Sequence, residues 1–362
     1  MEELKNFEFN PHSDTIGEGS QGVVYLAKDK RLGRKVAIKS LHKNLSSDES
    51  IRHRFVEEAK LLAQLDHPTI VKLYDYINDE DRFHLIMEYV NGRDLNDLID
   101  KVTGPINEFR AINIFIQVLE GIQHIHNKGI IHRDIKPSNI IINENDKIKL
   151  LDFGIAKDSQ NDPRLTRVGS NVGGTPMYMS PEHVSNASIN KKSDIYCLGV
   201  TLWQMVTGIY PYAGIPVLQI YNKIENEPLK NAQDIYPLVS KRMNDIISKA
   251  TSKDPKDRYD SCDSFIRDLK SLKAPKTDHE IEDPLKTQQQ KIRIDVKIEN
   301  QLTAFIIIND KGCLGSELSF YGKPGDKVRV IVEASKHQRF LQQFILNEDR
   351  KINVKLIKQS WF

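Results

Sequence analysis

His132-Arg133-Asp134-Ile135-Lys136-Pro137-Ser138-Asn139, followed by Asp152-Phe153-Gly154, is the stretch on which the reading of this chain turns. It puts a carboxylate, a lysine and an amide oxygen into one short loop, and a second carboxylate within about 20 residues. Oxygen donors of this kind suit a hard divalent cation, and a lysine beside them suits phosphate oxygens. Upstream, Val36-Ala37-Ile38-Lys39 is a β-rich run that ends on another lysine. Earlier still, Gly17-Glu18-Gly19-Ser20-Gln21-Gly22 runs straight into Val23-Val24-Tyr25. A lone G-x-G-x-x-G would equally open a dinucleotide site, but that motif needs a helix after its last glycine. Here a strand follows, and a strand–loop–strand lid lets backbone N–H groups approach phosphates unobstructed.

With these segments in this order, residues 10–272 resemble a eukaryotic-type (Hanks-type) protein Ser/Thr kinase, bacterial-like in its details. The resemblance implies an α+β, bilobal fold. A small sheet-plus-helix N-lobe would span 10–90 and a mainly helical C-lobe 91–272. It also implies ATP and Mg2+ as cofactors and a protein substrate offering a Ser/Thr acceptor. Ile16, Gly17, Gly19 and Gly22 would lie over the nucleotide. Lys39 would contact its α- and β-phosphates, and needs an anion to position it. Glu58 lies on the apolar helix stripe with Phe55 and Leu62, whereas Glu57 is rotated about 100° away. Glu58 is therefore the chosen partner.

Asp134 would align the acceptor hydroxyl and act as base, Lys136 would neutralise γ-phosphate charge, and Asn139 and Asp152 would hold the metal. Val24, Ala37 and Ile141 would sandwich the adenine, with Met87 as gatekeeper and the backbone of Glu88 and Val90 as the hinge. His132 and Phe153 would stack with Leu62 and Leu73 in a regulatory spine. Between Asp152 and Glu182 lies the activation segment, where Thr166 or Ser170 is the expected autophosphorylation site, facing Arg133. Thr175 is expected to contact Asp134 and Lys136. Glu182 should pair with Arg258, and Asp194 should hold the catalytic-loop backbone. Gln21, Ser180, Tyr196 and Cys197 depart from the family's usual aromatic, Ala, Trp and Ser, and none removes a charge the chemistry needs.

The alternative is a pseudokinase scaffold that binds nucleotide without transfer. Intact Lys39, Asp134, Asn139 and Asp152 favour transfer. Lys136-Pro137 and the full segment through Pro181-Glu182 favour a polypeptide acceptor over a small molecule.

The chain has 362 residues, 39% hydrophobic and 28% charged, with net charge +2 and mean hydropathy −0.48. That balance argues against nucleic acid as a general partner. Three cysteines, Cys197, Cys262 and Cys313, lack metal-like spacing and fit a reducing, cytoplasmic compartment. The N-terminus has no apolar run of signal-peptide type, and no stretch reaches the length of a membrane span. Bacterial relatives often carry such a span after the kinase domain.

Helical spacing marks Ile51–Leu65, ended by His67-Pro68, and Asn107–His126. An all-apolar run, Ile195–Val206, reads as a buried helix, and Ser240–Thr251 and Ser264–Lys273 as amphipathic ones. Val23–Ala27, Lys35–Lys39, Ile70–Tyr76 and Phe83–Tyr89 read as strands. Residues 273–290 read as a polar linker bounded by Pro275 and Pro284. Beyond it, over 291–362, the period becomes two: Ile292, Ile294, Val296, Ile298; Val328, Val330, Val332; Ile352, Val354, Leu356. Turn signals at 309–312 and 323–326 complete the picture of a small antiparallel sandwich. This part weakly resembles PEGA-type modules, which implies a protein or ligand partner.

Overall fold

Short runs rich in β-branched and aromatic residues build the first layer of the molecule. The structure, a computed structural model, describes residues 4–19, 21–79, 82–152, 176–185, 187–273, 292–299, 304–308, 311–315, 317–322, 327–333, 340–345 and 347–356. The strands of that layer are β1 (Phe7–Glu8), β2 (Thr15–Glu18), β3 (Gly22–Asp29), β4 (Lys35–Leu41), β5 (Leu73–Asp79) and β6 (Arg82–Glu88). They form one antiparallel sheet in the order β1-β3-β4-β6-β5, with β2 also paired to β3. Gly22 is obligatory at the β3–β4 contact, because a Cβ there would sit 2.1 Å from Ser40 O.

One sheet face buries Phe7, Ala27, Val36, Ile38, Ile77 and Ile86. Alternation turns Lys39 and Leu41 to the opposite face, where Leu41, Leu85 and Met87 join the main core with helix α1 (Glu49–Ala63). Asp48 caps α1 by accepting from Ile51 N at 3.1 Å. Residues Ile51, Phe55, Glu58, Ala59 and Leu62 form its buried stripe. The helix stops before His67-Pro68, because a tight turn from Leu65 N to Leu62 O (3.1 Å) already breaks its period. Likewise β5 begins at Leu73, not Ile70. Residues Thr69 and Val71 exchange bonds with Leu150 instead, at 2.7 and 3.1 Å, and so tie the sheet to the lower lobe.

The lower lobe holds α2 (Leu95–Leu98), α3 (Glu108–Asn127), α4 (Pro181–Val184), α5 (Lys191–Thr207), α6 (Val217–Asn226), α7 (Ala232–Ile235), α8 (Lys241–Ala250) and α9 (Cys262–Lys273). A small sheet, β7 (Arg93–Asp94), β8 (Ile140–Ile142) and β9 (Ile148–Leu150), lies across it. All of α5 from Ser193 onward is buried, as its apolar circumference requires. At Gly199 a Cβ would come within 2.7 Å of Ala250 Cβ, which shows how closely α5 and α8 approach. Phe115 of α3 meets Phe265 of α9 edge-on at 5.7 Å. Among the described residues no helix is long and apolar enough to cross a membrane.

Contacts divide the chain into two units, Met1–Ala274 and Pro275–Phe362. In the second, β10 (Ile292–Ile298), β11 (Ala304–Ile308), β12 (Lys311–Gly315), β13 (Glu317–Gly322), β14 (Lys327–Glu333), β15 (Phe340–Ile345) and β16 (Arg350–Val354) form two sheets, β13-β10-β16 and β12-β11-β14-β15. Ile294, Val296, Ile298, Ile352 and Val354 from one sheet share a core with Ile306, Val328, Val330 and Val332 from the other. The expectation of antiparallel strands needs one correction: β10 and β16 run parallel, from Ile294↔Arg350 to Ile298↔Val354. The turn residues 309–310 and 323–326, and residues 274–291, lie outside the described ones.

Candidate active site

Four pieces of chain converge below the sheet: β4, α1, the loop from α3 to β8, and the residues after β9. Strand β4 delivers Lys39, whose Nζ lies 3.1 Å from Glu58 Oε1 and 2.6 Å from Asp152 Oδ1. Glu57 faces outward and pairs with Lys60 at 2.8 Å. Burial pulls the Lys39 ammonium towards a lower pKa, but Asp152 and Glu58 outweigh it and raise the pKa above the lysine range. Lys39 is therefore a fixed cation, 7% exposed.

The second group sits on the loop before β8. Asp134 Oδ2 lies 3.0 Å from Lys136 Nζ and accepts from Asn139 Nδ2 at 3.0 Å. Asn139 Nδ2 also donates to Asp134 O at 2.8 Å. The carbonyl of Asn139 accepts from Leu151 N at 2.8 Å, which couples this loop to Asp152, the next residue.

Two non-glycine residues here occupy the left-handed region, Arg133 (φ 65°) and Asp152 (φ 33°). Such conformations cost about 1–3 kcal/mol each and persist only where the surroundings impose them. Asp194, at the start of α5 and fully buried, does so for Arg133. Its Oδ1 accepts from Arg133 N at 2.9 Å, and its Oδ2 from His132 N and His126 Nε2, both at 2.8 Å. Burial pushes the Asp194 carboxyl up, yet His126 and these donors hold it below the usual range.

Leu62 and His132, 2% and 1% exposed, belong to the interior, with Leu73 packed partly buried against the same core. Ala37 stands opposite Met87 on β6, Met87 opposite Leu73, and Val24 opposite Lys39. Ile141 lies on β8 opposite Asp94. Glu88 ends β6, its carboxylate 2.7 Å from Lys149 Nζ and its N–H on Lys72 O at 2.9 Å. Val90 is half-buried beside the core, and Ile16 on β2 is 50% exposed. Gly17 belongs to β2, and Gly19 N donates to Gly22 O at 2.9 Å across the hairpin tip. Glu182, in the first turn of α4, is clamped by Arg258 Nη2 at 2.6 Å and Nη1 at 3.1 Å. Ser20, Phe153, Gly154, Thr166, Ser170 and Thr175 lie outside the described residues.

Three contributors escaped the sequence reading. His126 is a third donor to Asp194, Lys149 anchors Glu88, and His42 Nε2 reaches Gly19 O at 2.8 Å. Each is an ordinary polar residue whose partner is distant in sequence, so no local pattern marks it.

Residues 11–268 match the family described as protein kinase domain. The serine/threonine-protein kinase PrkC of Bacillus subtilis (strain 168) is 39% identical over 256 residues, covering 71% of this chain and 39% of that one. The serine/threonine-protein kinase pkn3 of Myxococcus xanthus is 39% identical over 267 residues, covering 71% and 48%. The serine/threonine-protein kinase PknB of Mycobacterium leprae (strain TN) is 35% identical over 261 residues, covering 71% and 42%. The chain thus spans less than half the length of these relatives. Among solved structures, the kinase domain of Mycobacterium tuberculosis PknI superposes with a TM-score of 0.57 at 24% identity, covering 74% of this chain and 96% of that one, a likeness of fold. Signature segments, lobes and family match agree, and this chain belongs to the protein kinase domain family.

Proposed function

We propose that this chain is a protein Ser/Thr kinase that transfers the γ-phosphoryl group of Mg·ATP to hydroxyls of protein substrates. The observation that carries this reading is the linked set Glu58–Lys39–Asp152 and Lys136–Asp134–Asn139, joined through Leu151 N to Asn139 O. Lys39, held by Glu58, is placed to meet phosphate oxygens as a permanent cation. Asp134 would orient the acceptor hydroxyl and take its proton late, since an ordinary carboxylate is a weak base near neutrality. Lys136 would offset charge on the transferred group.

The donor set also fits the ion such enzymes use. Asn139 spends its N–H groups on Asp134, which leaves its Oδ1 as an oxygen donor, and Asp152 is 47% exposed on its side chain. Asn139 and Asp152 would hold Mg2+, whose charge screens the phosphate oxygens. Val24, Ala37, Met87, Ile141 and Ile16 would line the adenine slot, with Glu88 and Val90 as its hinge. Thr166 or Ser170 remains our candidate for autophosphorylation, and Thr175 for acceptor selection. The 291–362 region would bind a protein or ligand partner. Cys197 and Cys262, buried as free thiols, fit a reducing cytoplasm.

The test incubates the full chain with labelled ATP, Mg2+ and a generic protein acceptor, beside Asp152→Asn. Transfer should fall by ~10²–10³ in the variant. Equal labelling would remove Asp152 from the metal site, and nucleotide binding without any transfer would return the chain to a scaffold.

A further inference from the structure

Among the described residues, the bonds that hold Gly19 and Gln21 in the β2–β3 hairpin come from Gly22 and His42. Both backbone polar groups of Gly19 are engaged: its N–H donates to Gly22 O at 2.9 Å, and its carbonyl lies 2.8 Å from His42 Nε2. A carbonyl only accepts, so the His42 ring carries hydrogen on Nε2 in this contact. The His42 backbone N–H adds a bond to Gln21 O at 2.9 Å. A Cβ built on Gly19 would meet no atom of the described residues within 4 Å. Among the described residues, hydrogen bonds rather than side-chain packing hold Gly19. Glycine has the widest backbone freedom of any residue, so ordering the tip is costly unless something orders it beforehand.

We propose that His42 is a positioning residue for the nucleotide, whose ring latches Gly19 and so presets the hairpin over the phosphates of ATP. The proposal rests on the reading of this cleft as a kinase ATP site. Its geometry is economical, because His42 directly follows β4, the strand that carries Lys39. One strand therefore sets both the cation that meets the phosphates from below and the latch that holds their cover. His42 touches no reacting atom and acts through Gly19. A latch on the hairpin has a ligand-specific signature: it should matter for nucleotides with phosphates under the hairpin and not for adenosine.

The experiment uses the full chain, with Mg·ATP and adenosine each titrated calorimetrically against wild type, His42→Ala and His42→Gln. Steady-state kinetics on the same samples give KM for ATP and kcat. His42→Ala should weaken ATP about three- to tenfold, the net worth of one hydrogen bond, with KM rising in step and kcat within about twofold. Adenosine affinity should be unchanged. His42→Gln, whose amide N–H reaches a similar distance, should recover most of the loss. Unchanged ATP affinity in His42→Ala, equal weakening of adenosine, or no recovery in His42→Gln each overturns the latch. If wild type binds ATP and phosphorylates an acceptor while His42→Ala matches it, only the latch fails. A wild type that binds no ATP takes the functional reading down with it.

Discussion

Arg258→Met would withdraw five hydrogen bonds from one buried point while keeping the apolar stem. The guanidinium donates to Glu182 Oε1 and Oε2 at 2.6 and 3.1 Å, and to the carbonyls of Ser252, Lys192 and Lys253 at 2.7, 2.8 and 3.0 Å. Arg258 is 3% and Glu182 7% exposed, so neither the carboxylate nor the carbonyls gain much water in exchange. Removing one partner of such a pair costs ~3–5 kcal/mol, mostly as the penalty of the charge left behind. Glu182→Gln should cost only ~1–2 kcal/mol, because Arg258 keeps its three carbonyls and an amide oxygen. The double variant should cost clearly less than the two singles together. Urea unfolding followed through Trp203, 2% exposed in α5, reads this directly. The midpoint for Arg258→Met should drop by roughly 1 M or more. Burial pushes the Glu182 carboxyl up, but Arg258 holds it below its ordinary value. The pair's contribution is therefore complete above the unfolded carboxylate pKa, about 4.3, and is lost as pH falls through the lower folded value. A loss under about 1 kcal/mol for Arg258→Met, or strict additivity, would refute this account.

Other outcomes follow from neighbouring geometry. Lys39→Met should keep the fold but lower transfer by ~10²–10³ in single-turnover labelling; wild-type rates would deny Lys39 its place on the phosphates. Gly22→Ala pushes a methyl against Ser40 O, and overpacking by ~1–3 kcal/mol should raise KM for ATP at least about fivefold; an unchanged KM would mean the hairpin yields without cost. Lys253 donates to Ile224 O at 2.5 Å; burial, then Arg258, lowers its pKa to about 8. Between that value and the unfolded one, about 10.4, the unfolded chain binds the extra proton, so stability relative to Lys253→Met should rise with pH. Denaturation midpoints across pH 7.5–10 for both chains test this, and a flat difference contradicts it.

Periodic signals were legible wherever one face alone decides burial. Ile112, Ile116, Leu119, Ile122 and Ile125 repeat at helical spacing and are all buried on α3, and the stripe that singled out Glu58 is the face that meets Lys39. Boundaries set by distant partners were not legible. The β5 start depends on Leu150, some eighty residues along the chain, and the end of α1 on a local turn that no residue type announces. Alternation over 292–298 and 350–354 identifies a buried face but not the neighbouring strand, so the parallel β10–β16 pair could not be read from it. His126 and Lys149 find their partners 68 and 61 residues away, a distance over which pattern is silent.

The parallel pairing of β10 with β16 has a consequence for synthesis on the ribosome. Arg293 N meets Asp349 Oδ1 at 2.7 Å across 56 residues, and β10 can complete its sheet only once that much later chain has emerged. At ordinary translation speeds of ~5–20 residues per second the wait is roughly 3 to 11 s. Throughout it one edge of β10, whose Ile292, Ile294, Val296 and Ile298 alternate with polar residues, stays open to other nascent chains, while the two lobes of residues 10–272 have already been synthesised.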